Sequence, residues 1–146
     1  MKKYINLSFL YAMLAIAGGV FYREFTKYLA FDGRTTLGFV HVHLFVLGMV
    51  VFLIVGLFAL LTDVESQKHF KKFMLFYNIG LPFAVVMLIA RGVPQVMGPT
   101  LTAGLSAAIS GLAGIAHILL LLGLIFLFLS LGNASVKTTL SKDSSM

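Results

Sequence analysis

Residues 101–131, LTAGLSAAISGLAGIAHILLLLGLIFLFLSL, contain no Asp, Glu, Lys or Arg, and among their apolar and small side chains stands one imidazole, His117. A run of that length without charge spans a bilayer, which takes about 20 apolar residues. Working outward, residues 37–61 form a second uncharged run that carries His41 and His43, and residues 4–22 and 70–90 are two further apolar stretches. The four spans fill residues 1–132 and leave no room for a separate soluble domain. With 60% hydrophobic and 11% charged residues and a mean hydropathy of +1.01, the chain is expected to be an all-α integral membrane four-helix bundle. The Ser-, Thr- and Lys-rich residues 133–146 are expected to be a disordered cytoplasmic tail.

Charge placement sets the expected orientation. Lys2, Lys3, Lys68, Lys71, Lys72, Lys137 and Lys142 fall on one side, and Arg23, Lys27, Arg34 and Arg91 on the other. By the positive-inside rule this puts both termini in the cytoplasm, as a multi-pass protein of a bacterial cytoplasmic membrane. The start, Met1-Lys2-Lys3 followed by an apolar run and Ala15-Ile16-Ala17, resembles a signal peptide. Because the run continues through Gly18, Gly19 and Phe21, it reads as an uncleaved first helix. The dispersed basic residues suit the lipid bilayer and its anionic headgroups, not nucleic acid.

Local signals set the expected boundaries. Thr35 or Thr36 is a candidate cap for the second helix, and Asp63 or Ser66 for the third. Pro82 is expected to kink the third helix, and Arg91-Gly92-Val93-Pro94 to end it, with a loop over 92–99. Tyr4, Tyr22 and Tyr28 suit the interfacial belts. Tyr11, Tyr77 and Asn78 are expected to make interhelical hydrogen bonds. Met49, Met87 and Met97 read as packing residues, with alternative axial ligation open to them. His69, beside Lys68, Lys71 and Lys72, reads as a solvated loop residue.

Several function classes are excluded. The five acidic residues all lie outside the spans, and no nucleophile–base pair, paired carboxylate or phosphate loop is present. The chain has no Cys, which excludes disulfides, thiolate metal sites and c-type haem attachment. Three intramembrane histidines are left. An imidazole in hydrocarbon needs a partner and marks a site by default, and neutral imidazole is a common metal ligand.

Helical residues advance about 100° each, so His41 and His43 stand about 200° apart and cannot chelate one ion together. Gly38, Gly48 and Gly56 share the His41 side; Leu47, Val50, Ile54 and Leu61 share the His43 side. On the fourth helix Ser106, Ser110, Ala113 and Gly114 lie on the side of His117, and small residues one turn from a His leave room for a macrocycle. Depth pairs His43 with His117, at roughly 27 and 21 Å from the inner helix ends, while the glycine face favours His41. The sequence leaves that choice open. A b-type haem fits best: His117 with His43 or His41 as iron ligands, Gly48 and Gly114 as clearance, and Arg91 near the propionates. Copper held by His and Met is the alternative cofactor. Electron transfer or gas or haem handling would follow. The rivals are a structural or assembly subunit of a respiratory complex, or a small Cu(I) or solute carrier. The small-residue faces also suit a homo-oligomer.

The run His41-Val42-His43-Leu44-Phe45-Val46-Leu47-Gly48 resembles the His-x-His helix of the haem-copper oxidase and nitric oxide reductase superfamily. That resemblance implies two histidines on opposite faces of one helix serving two haems. The superfamily's six-histidine set is absent, so oxygen or nitric oxide reduction by this chain alone is not implied. The chain as a whole resembles a family of short bacterial four-helix membrane proteins of unknown function that share a His-x-His-hydrophobic-Gly run in helix two.

Overall fold

The computed structural model describes residues 1–98 and 100–137. Among them are four helices long and apolar enough to cross a membrane: α1 Lys2–Tyr28, α2 Gly38–Leu61, α3 Phe70–Met97 and α4 Ala103–Asn133. They follow one another up and down, as expected of an integral membrane bundle. Large apolar side chains such as Phe9, Val46, Leu75 and Phe128 point outward, which suits lipid as the surrounding solvent.

Two tight pairs make up the bundle. In the first, α1 lies along α2, with Gly18 against Val40 and Gly48 under the Tyr11 ring. In the second, α4 lies along α3: a Cβ on Gly80 would stand 2.9 Å from the Leu120 nitrogen, and one on Gly123 3.0 Å from Tyr77. These glycines let the backbones approach closely, the usual device where apolar burial gives no drive between helices. Between the pairs, α3 meets α2 through an aromatic cluster of Phe52, Phe73 and Tyr77. α4 packs along α3 and touches the 3₁₀ turn Val64–Ser66.

Several boundaries differ from the sequence expectation. α3 does not stop at Arg91; it runs through Pro94 and ends at Gly98, whose φ of 89° closes the helix with a bond from its N–H to the Pro94 carbonyl at 3.1 Å. A left-handed glycine is the stronger stop signal, and a proline this near the C-terminus frees few internal bonds. The loop expectation for 92–99 therefore fails over 92–97, and Pro99 lies outside the described residues.

At the start of α2 the Thr35 hydroxyl accepts the Leu37 N–H at 3.3 Å, whereas Thr36 makes no side-chain capping bond. Their hydroxyls cross to α3, Thr35 to the Gly92 carbonyl at 3.0 Å and Thr36 to that of Leu88 at 2.8 Å. Asp63 does not cap α3 either, since its carboxylate accepts the Ser135 N–H and its own N–H donates to the Ser135 carbonyl. The beginning of the supposed disordered tail is thus ordered. Thr62 and Val136 form an antiparallel bridge, and the Lys137 ammonium donates to the Ala59 carbonyl at 2.7 Å. Residues 138–146 lie outside the described residues. His69 is half-buried and stacks on Phe126 at 5.8 Å, so it is not a solvated loop residue.

Tyr4 is fully buried and donates to Glu65 at 2.7 Å, where Lys3 also reaches the same oxygen at 2.8 Å. Those two donors hold the Glu65 carboxyl below the usual carboxylate range. A lowered folded value means that the contact stabilises above the ordinary carboxylate pKa and is lost as pH falls through the lowered one. In detergent unfolding, Glu65→Gln should cost about 0.2–1 kcal/mol at pH 7. That difference from the wild type should close once the pH is low enough to protonate Glu65. A second test concerns the α3–α4 seam. Gly80→Ala should lower stability by about 1–3 kcal/mol through overpacking against the α4 backbone. Gly132→Ala, with nothing within 4 Å of its added carbon, should be neutral or mildly stabilising.

Candidate functional site

The N-terminal end of α2 is fixed to α3 before any candidate ligand is reached. Besides the two threonine bonds, the Thr36 N–H donates to Gln95 Oε1 at 2.9 Å, and Leu37 fills the space beside Gly92. From that anchor the regular turns Gly38–His43 carry His43 toward α4. His43 and His117 come together, with ring centres 6.4 Å apart and ring planes at 89°.

Both rings are held the same way. His43 Nδ1 lies 2.9 Å from the Phe39 carbonyl, and His117 Nδ1 lies 2.7 Å from the Ala113 carbonyl. A carbonyl only accepts, so in the neutral ring each Nδ1 carries the proton and each Nε2 keeps its lone pair. A hydrogen bond that fixes the tautomer in this way is the usual support of a metal-ligating imidazole. Two imidazoles bound to one metal at about 2.0–2.1 Å, on opposite sides, place their ring centres about 6 Å apart. The observed spacing falls there. Among the described residues no three His, Asp or Glu side chains converge on one point, so the pair is a two-donor set.

His41 takes another direction. It lies against α1, where a Cβ on Gly19 would stand 3.6 Å from its own Cβ, and its Nδ1 is buried without a hydrogen-bond partner. The choice left open by depth and glycine face thus resolves geometrically: His43 faces His117 and His41 faces α1. Gly48 serves the α1–α2 contact, since a Cβ there would stand 2.6 Å from the Tyr11 ring. Gly114 is open, as is Gly111 one turn above it, with nothing within 4 Å of either.

Arg91 sits in the C-terminal part of α3, where its Nη2 donates to the Ser106 carbonyl at 3.0 Å and to Ser110 Oγ at 2.6 Å. Beside it is a polar cavity of about 380 Å³ lined also by Gln95, Thr100 and Ser106. Seven residues separate Ser110 from His117, roughly 10 Å of helix. Arg23 turns instead to Glu24, at 3.7 Å.

The residues that the sequence under-read lie just inside His43. From Leu44 to Val50 the helix widens into a π-helix, a form that appears mostly as short bulges and often at functional sites. Tyr77 donates to the Leu47 carbonyl at 2.9 Å and Ser8 to the Met49 carbonyl at 2.8 Å. Tyr77 thus makes an interhelical bond, whereas Tyr11 stacks on Phe52 and Asn78 bonds the Met74 carbonyl of its own helix. A polar hydroxyl inside a span was the signal for Tyr77; nothing in the sequence marks the π-helix itself.

No curated protein and no solved structure matches the chain, so the likeness of residues 41–48 to the oxidase helix has no support beyond that run. A family model matches residues 1–134, and on that evidence this multi-pass helical chain belongs to the family described as "Protein of unknown function (DUF2871)".

Proposed function

We propose that this protein is a membrane-embedded b-type haem protein in which His43 and His117 would hold the iron. The observation that carries the reading is the facing pair of imidazoles, each with Nδ1 occupied and the Nε2 lone pair free. When bound, the group would supply one-electron chemistry, and two histidine ligands favour electron transfer over gas or haem handling. The chain's own residues would hold it. Gly114 leaves space on the turn before His117, and Arg91 stands within reach of propionates directed to the outer surface. His41 is left out of the ligand set. The basic residues at the inner end support a bacterial cytoplasmic membrane as the location, with both termini inside. A subunit of a respiratory complex remains compatible with this reading.

The spacing also suits a bare Cu(I) ion, which needs two soft or borderline donors and no macrocycle. Metal analysis separates the two. The protein purified in detergent should contain iron and show a Soret band that shifts on dithionite reduction. His43→Ala and His117→Ala should each abolish that spectrum, and His41→Ala should keep it. Arg91→Ala should weaken haem retention about tenfold, as expected for one charge-assisted contact. Copper without iron would move the assignment to the carrier reading. A colourless protein holding neither metal would defeat both.

A further inference from the structure

We propose that Tyr77 and Ser8 are positioning residues for His43, acting through the π-helical stretch between them. The proposal rests on the reading of His43 and His117 as a ligand pair.

The part of α2 beyond the π-helix, Val51–Leu61, is fixed independently of His43. Phe52 is fully buried, stacked on Tyr11 at 5.6 Å and edge-on to Tyr77 at 5.8 Å. Gly56 lies beneath Tyr4. The π-helix begins at Leu44, directly after His43. A π turn holds one residue more than an α turn, so its presence rotates everything on its outer side by about 100° relative to an unbroken α-helix. With Val51–Leu61 held, loss of that extra residue would swing His43 round the helix, away from α4.

The two hydroxyls choose between these states. With the extra residue lost, the stretch that carries the Leu47 and Met49 carbonyls would turn away from α3 and α1, and the Tyr77 and Ser8 hydroxyls would lose their acceptors. Both side chains are buried, Tyr77 at 0% and Ser8 at 2% exposure. A buried hydroxyl without a partner is costly in hydrocarbon. In the π-helix each carbonyl accepts a hydroxyl from the neighbouring helix, and Gly48 lets the Tyr11 ring sit against the widened backbone. α1 and α3 therefore grip α2 from two sides at the one place where its rotation sets the ligand direction.

The chain has no cysteine, so two introduced ones are labelled cleanly. Spin labels on His43→Cys and His117→Cys, read by double electron–electron resonance in vesicles, report the α2–α4 orientation without any haem. In that background Ser8→Ala with Tyr77→Phe should shift the mean distance by roughly 5 Å or more, or split it. A rotation of about 100° displaces a side chain on a cylinder 10–12 Å across by about 8–9 Å, part of it along the line between the labels. Tyr11→Phe removes a hydroxyl with no hydrogen bond to lose and should leave the distance unchanged. If the double variant loses its helical circular dichroism, Tyr77→Phe and Ser8→Ala are read singly, each with a smaller shift in the same direction. In the histidine-bearing chain, the double variant should convert a six-coordinate low-spin spectrum to a five-coordinate high-spin one. An unchanged label distance overturns the positioning role even where haem binds. A shifted distance in a chain that never takes up haem leaves the positioning role standing and defeats the haem reading.

Discussion

Inside a bilayer every backbone carbonyl must find its donor within the protein, because no water competes for it. Most of this chain meets that constraint with unbroken α-helices. α2 departs from it between Leu44 and Val50, and the departure is tolerated because donors arrive from both neighbours, Ser8 from α1 and Tyr77 from α3. Ser8 and Tyr77 are thus placed where the ladder of α2 is irregular. Where α2 begins, Thr35 and Thr36 likewise cross to α3, at the carbonyls of Gly92 and Leu88.

The pairing of helices decides where a site can be. α1 clasps α2 and α4 clasps α3, each through glycines that bring backbones together. α3 is shared, since its aromatic side chains also meet α2. The backbone neighbours of α4 are α3 and the Val64–Ser66 turn, so the space between α2 and α4 is crossed by side chains. The His43 and His117 rings face each other across it. The glycines that bring backbones together serve the other two seams.

The spans, their number and their antiparallel order could be read from uncharged length alone, because composition against a fixed bilayer thickness is a strong signal. The opposite placement of His41 and His43 could be read too, since it follows from helical rotation. Which of them meets His117 could not. That depends on the side of α2 that α1 occupies, which is set by contacts such as Gly48 under Tyr11 and Gly18 against Val40. Boundaries were misread where tertiary partners overrode local rules. α3 continues through Pro94 to the left-handed Gly98, and Asp63 serves the ordered start of the tail instead of a helix cap. The π-helix had no local signature, because its donors lie 41 and 30 residues away in sequence.

A purely structural role for the two facing histidines meets a chemical obstacle. Edge-on contact of the two rings leaves their free nitrogens to be satisfied, and hydrogen-bonding each other needs one nitrogen with a proton opposite one without. Here both Nδ1 protons are committed to carbonyls of their own helices, so the two remaining nitrogens are both acceptors and cannot pair. A shared proton would satisfy them, but it would place a positive charge in uncharged stretches that offer no acid to balance it, which is expensive in hydrocarbon. A bare Cu(I) ion brings the same uncompensated charge. Ferrous iron in a porphyrin dianion carries none at the metal centre, and its carboxylates belong at the surface, on the side where Arg91 stands. Among the acceptors of two imidazole lone pairs, charge balance in a low-dielectric medium thus favours the macrocycle over the ion alone.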